Sequence, residues 1–183
     1  MIPVKIQKWL QSDVFPQRVM LSGAGDNITV AFEIAAQLQS TDLEKIKKGL
    51  HPDTIVFRDK GKSFKIDFSD AAKKDEQSEF ENARGLIRWA YQKPTTNYRI
   101  AILENFERIS RDAPHALLKL VEEPPSKTIF LFTTKNHHQM LQTILSRVTV
   151  VPVASEAFSE ISESTQDFLA QKTRTAKFAW IEN

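Results

Sequence analysis

The sequence predicts an α/β fold with a mostly parallel sheet, and two observations carry that expectation. Five apolar runs of strand length recur along the chain, and stretches with apolar residues spaced three and four apart lie between them. The runs are Arg18–Leu21, Thr54–Phe57, Ile100–Leu103, Thr128–Phe132 and Val148–Val151. They are continuous rather than alternating, as strands covered on both faces are. Ala31, Ile34, Ala35 and Leu38 follow the spacing of one helix face, and Phe80, Ala83, Ile87, Ala90 and Tyr91 nearly do. A third helix carries Ala113, Ala116, Leu117, Leu120 and Val121, with Ser110 or Asp112 as its cap and Pro124-Pro125 as its stop.

The intervening segments read differently. Lys60-Gly61-Lys62 separates the second run from the alternating Phe64, Ile66 and Phe68, as a hairpin-like turn or a simple loop. Ala71 to Glu79 is a charged insert without apolar period. After Pro152 the pattern changes: Ala154 to Asn183 reads as polar helix with intermittent anchors, too sparse for a core of its own. Residues 1–153 are therefore expected as one module and 154–183 as an incomplete appendix. Trp9, Trp89 and Trp180 sit in helix-period contexts and read as packing anchors rather than base-stacking platforms.

The 183 residues suffice for one well-buried domain and a short extension. Hydrophobic residues at 41% and charged residues at 26% match a globular chain and argue against disorder. No apolar run approaches the roughly 20 residues of a membrane span, and the first residues lack a secretory core, so a cytoplasmic protein is expected. Zero cysteines exclude a disulfide framework and thiolate metal sites. The four histidines make no helix-spaced ligand pair, and His137-His138 read as a surface loop with rings on different sides. A net charge of +2 is too mild to argue nucleic-acid binding from composition.

The run Ala116-Leu117-Leu118-Lys119-Leu120-Val121-Glu122-Glu123-Pro124-Pro125 resembles the helix and turn shared by bacterial gamma and delta prime clamp-loader subunits. Thr133-Thr134-Lys135-Asn136 and Thr143-Ile144-Leu145-Ser146-Arg147 resemble that family's sensor 1 strand end and its serine-arginine-cysteine motif. With His51-Pro52-Asp53 ahead of a strand, these landmarks occur in the family's order from about Phe15 to Val153. The resemblance implies a P-loop AAA+ module with a central parallel sheet, followed from about Ala154 by the start of a small helical lid.

The departures from that family's pattern bear on chemistry. A working P-loop reads G-x-x-x-x-G-K-[ST], with amides that cradle phosphates, a lysine that neutralises them and a hydroxyl for Mg²⁺. Aligned on Ala31 and Ala35, the chain has Asn27 at the lysine position and Ile28 at the hydroxyl position. The loop is about two residues short, and Asp26 adds negative charge. The acidic pair of the family falls on Glu104 and Asn105, and an amide cannot serve as general base. Asn136 matches sensor 1, where without a nucleotide site it reads as structural.

Arg147 matches the arginine that in the family reaches the next subunit's ATP; the competing reading is a surface arginine paired locally. Val148 replaces the motif's cysteine, a change of packing only. The family's four-cysteine zinc module has no counterpart, so no metal and no nucleotide cofactor are expected. The resemblance implies an ATP-independent subunit of the delta prime kind, working with gamma/tau-type motor and delta subunits, the sliding clamp and primer-template DNA. Two other readings stay open: a weak P-loop ATPase using Gly23, Gly25 and the helix N-terminus near Ile28, or a stand-alone interaction or DNA-binding module on the same scaffold.

Overall fold

The computed structural model describes residues 2–12, 14–58, 83–108 and 113–155. In chain order the elements are α1 (Val4–Leu10), β1 (Arg18–Ser22), α2 (Asn27–Leu38), α3 (Leu43–Lys47), β2 (Thr54–Phe57) and α4 (Ala83–Ala90). Next come β3 (Arg99–Leu103), α5 (Ala113–Glu122), β4 (Thr128–Thr134), α6 (Gln142–Leu145) and β5 (Thr149–Pro152). Two 3₁₀ turns, Phe106–Arg108 and His137–Gln139, follow β3 and β4. The strands form one sheet in the order β2-β3-β4-β1-β5, with every neighbouring pair parallel. The expected α/β fold with a parallel sheet is the one observed.

Strand alternation explains why both faces are covered. Val19, Leu21, Ile100, Ile102, Ile129, Leu131 and Val151 pack in one core with Val30, Ala31, Ile34 and Ala35 of α2. Met20, Ala101, Leu103, Phe130 and Phe132 pack on the other side with Leu86, Trp89 and Ala90 of α4, Leu120 and Val121 of α5, and Ile144 of α6. Each Val, Leu, Ile, Met or Phe among them, fully buried, contributes about 1.5–3 kcal/mol. Continuous apolar strands are thus the signature of a sheet sandwiched between two helical layers.

Two details depart from expectation. Tyr91 is 60% exposed rather than on the apolar face of α4. At about 100° per residue, Leu86, Trp89 and Ala90 define the buried face, half-buried Ile87 marks its edge, and Tyr91 lies beyond it. The strand expected at Val148–Val151 runs from Thr149 to Pro152. The turn at Lys60-Gly61-Lys62, the insert Ala71–Glu79, Phe80, the caps Ser110 and Asp112, Trp180 and the lid beyond Ser155 lie outside the described residues.

At the amino ends of β2 and β3 a polar cluster ties the module together. Asp53, fully buried, accepts hydrogen bonds at Oδ2 from the N–H groups of Thr95 (2.8 Å) and Thr96 (2.7 Å) and from Thr96 Oγ1 (2.9 Å). Its Oδ1 faces Arg99 Nη2 at 3.6 Å, an ion pair rather than a hydrogen bond. The Arg99 guanidinium lies over the Trp89 ring, 4.9 Å from its centroid. His51-Pro52-Asp53 thus has a structural part to play, at the end of the sheet opposite the β1–α2 loop.

Candidate functional site

The β1–α2 loop leaves the carboxyl end of β1 between β4 and β5, where open parallel sheets bind ligands. Here the loop is tied to its own neighbours. The Gly23 N–H donates to the Thr134 carbonyl at 3.2 Å, and the Gly25 N–H to the Val153 carbonyl at 3.2 Å. Val153 in turn donates to the Ser22 carbonyl at 2.8 Å. Gly23 has φ 144°, and any Cβ there would collide with the Val153 carbonyl oxygen, so only glycine fits.

The start of α2 is closed in the same way. The Asp26 carboxylate accepts the Thr29 N–H at 3.1 Å, capping the helix. Hydrogen bonding from the Thr29 hydroxyl and then its N–H holds the carboxyl below the ordinary aspartate range, opposed by partial burial and aided weakly by Lys47. Asn27 is only 7% exposed, and its Nδ2 donates to both the Gly23 and the Thr134 carbonyls at 2.9 Å. Its Oδ1 is buried without a partner among the described residues. Ile28 packs against the α2-side core. A phosphate cradle needs several N–H groups and a cation aimed into one cavity. This loop offers an amide, a carboxylate and two glycine N–H groups already bonded to carbonyls.

Glu104 and Asn105 leave the carboxyl end of β3, separated from β1 by β4. The Glu104 N–H donates to the Phe57 carbonyl at 3.0 Å. Asn105 adopts φ 47°, a conformation asparagine tolerates, and its N–H donates to Thr133 Oγ1 at 3.1 Å. Asn136 caps the 3₁₀ turn after β4, its Oδ1 accepting the His138 N–H at 3.0 Å. His137 Nδ1 and Ser22 Oγ are 2.9 Å apart, and the His137 N–H donates to the same hydroxyl at 3.2 Å. The two histidine rings do not diverge as expected: the 3₁₀ turn brings their centroids within 4.1 Å.

Arg147 sits between α6 and β5, away from that loop in the chain. One Nη donates to the Thr143 carbonyl at 2.7 Å and to Ser146 Oγ at 3.0 Å. The other lies 2.6 Å from Glu122 Oε1, with the two side chains 34% and 43% exposed. Arg18 adds a second cation at the end of α5, donating to the Val121 and Glu122 carbonyls at 2.7 and 3.0 Å, where the helix dipole is negative. Val148 packs against the α4/α5-side core, which bears out its reading as a packing residue. Sequence reasoning singled out Arg147 but not Glu122, and the loop but not the Val153 and His137 contacts. Glu122 stood inside the quoted helix run; its pairing with Arg147 had no local signal.

Among the described residues no group of three or more histidines and acidic residues is placed to hold a metal, and no helix is long and apolar enough to cross a membrane. Residues 5–157 match the family described as DNA polymerase III, delta subunit. The tau subunit of DNA polymerase III from Bacillus subtilis is 35% identical over 78 residues, covering 43% of this chain and 14% of its own. An uncharacterised Mycoplasma pneumoniae protein is 40% identical over 60 residues, covering 33% of this chain and 24% of its own. The chain therefore spans a quarter or less of these relatives. Among solved structures, a gamma subunit-related protein of DNA polymerase III from Thermotoga maritima superimposes with a TM-score of 0.62 at 18% identity, over 87% of this chain and 48% of its own. The Thermotoga maritima RuvB branch-migration motor does so at 0.51 and 11% identity, over 81% and 41%. Those identities speak for the AAA+ fold alone. With a five-stranded parallel sheet of that fold and a family match over most of its length, the chain belongs to the DNA polymerase III delta-subunit family of clamp-loader proteins.

Proposed function

We propose that this chain is an ATP-independent clamp-loader subunit of the delta prime kind, which presents Arg147 in trans to the ATP of a neighbouring gamma/tau-type subunit. Through that assembly it would help place the sliding clamp on primer-template DNA. The observation that carries this reading is the contrast between a β1–α2 loop bonded to its own carbonyls and an arginine that keeps a third of its surface exposed. A chain that cannot gather phosphate itself still contributes if its guanidinium meets the phosphate of another.

The test is the steady-state ATPase rate of a complex reconstituted with wild-type or Arg147→Ala chain, after equal incorporation is confirmed by gel filtration. Arginine fingers contribute on the order of 10³–10⁵ in rate where they act. One site of several would fail, so a partial loss is expected. Arg147→Lys restores little, because an ammonium keeps the charge and loses the planar fork. Folding should be unaffected, within about 0.5 kcal/mol, as for other exposed positions. An unchanged rate at full incorporation overturns the reading.

A further inference from the structure

Arg147 does not stand free in its own chain. Three of the five guanidinium N–H donors are engaged, by the Thr143 carbonyl, Ser146 Oγ and Glu122 Oε1. Nε–H and one Nη–H have no partner among the described residues. The first two contacts are local, within one turn of α6. The third is not: it bridges from the α6–β5 turn to the last residue of α5. Glu122 therefore ties the fork across to α5, whose Leu120 and Val121 pack in the core beside the sheet.

We propose that Glu122 parks Arg147, holding its guanidinium folded onto the chain until the phosphate oxygens of a neighbour's nucleotide displace the carboxylate. This rests on the reading of Arg147 given above. The guanidinium fork suits carboxylate and phosphate alike, and with one Nη held by Thr143 and Ser146 the two anions meet at the other Nη, which Glu122 occupies. A deeply buried pair would not let go without leaving a stranded charge. This pair is one-third to two-fifths exposed, so water takes over the released carboxylate and the exchange is cheap. Two consequences follow. In the absence of a neighbouring triphosphate the finger stays retracted, and a fraction of each encounter is spent on release, which weakens the apparent affinity by the share of parked molecules.

Glu122→Gln tests this, since the substitution keeps shape at an exposed position and removes the charge. In the isolated full chain, ¹⁵N NMR of the arginine side chains should show an Arg147 guanidinium with slowed rotation and a shifted resonance. Both signs should weaken in Glu122→Gln, where only the Thr143 and Ser146 contacts remain. In the reconstituted complex, Glu122→Gln should lower the ATP concentration for half-maximal rate by about two- to five-fold with kcat unchanged, the range an exposed ion pair supports. That gain should vanish when Arg147→Ala is added. An unchanged half-saturation in Glu122→Gln, with Arg147→Ala still slowing the complex, overturns the parking role and leaves the finger standing. Arg147→Ala without effect overturns both. An Arg147 resonance identical in wild type and Glu122→Gln shows that no ion pair exists to release.

Discussion

At the start of α2 the Asn27 amide turns inward onto carbonyls of the same chain, whereas the Arg147 guanidinium stays near the surface and keeps donors in reserve. Burial separates the two regions: Asn27 is 7% exposed, against 34% for the Arg147 side chain. The Asn27 bond to Thr134 is buried, so water cannot take the place of the amide there. At Arg147, water stands ready to replace any partner. The first contact is thereby costly to break and the second cheap to exchange.

Three changes in the loop probe that division, from the largest effect down. Gly23→Ala is expected to cost about 2–4 kcal/mol, since a Cβ meets the Val153 carbonyl and the backbone has positive φ. Urea denaturation measures it, and a loss below about 0.5 kcal/mol would mean that the loop is not clamped by β5. Next, Asn27→Lys combined with Ile28→Thr should cost about 1–3 kcal/mol, from the two lost Asn27 hydrogen bonds, and should gain no nucleotide. Calorimetry should find no Mg²⁺-dependent ATP affinity tighter than about 100 μM. Tight binding would show that the loop opens once Asn27 lets go.

The smallest effect concerns Asp26, whose exposed carboxylate is favoured by the Thr29 bonds. A carboxyl depressed below its ordinary value of 3.8 adds stability above that pH and loses it as pH falls through the folded value. The unfolding midpoint of the wild type should therefore fall more steeply below about pH 4 than that of Asp26→Asn, and parallel profiles would mean the cap carries no charge dependence.

What could be read beforehand followed from burial. Continuous runs such as Ile100–Leu103 and spaced sets such as Ala31, Ile34 and Ala35 report which faces avoid water, and the sheet and its helical layers emerged from them. Asn27 and Ile28 stood out as departures from the P-loop pattern, and Asn136 as a match to sensor 1. The partners that give these residues their work were not visible. Val153 meets Gly25, His137 meets Ser22, and Glu122 meets Arg147 across long stretches of chain, where no periodicity speaks. Asp53 stood out only as part of a motif, because nothing local announces that Thr95, Thr96 and Arg99 will converge on it.

The Asn27 amide has one more consequence. A protein steadied by a bound small molecule is only as firm as the supply of that molecule, since the stabilisation grows with the logarithm of its concentration. Asn27 bridges the Gly23 and Thr134 carbonyls as a tenant that is part of the building. Being part of the chain, it has an effective concentration that never falls. The carboxyl end of β1 is accordingly fastened by the chain's own amide, whatever the concentration of any small molecule.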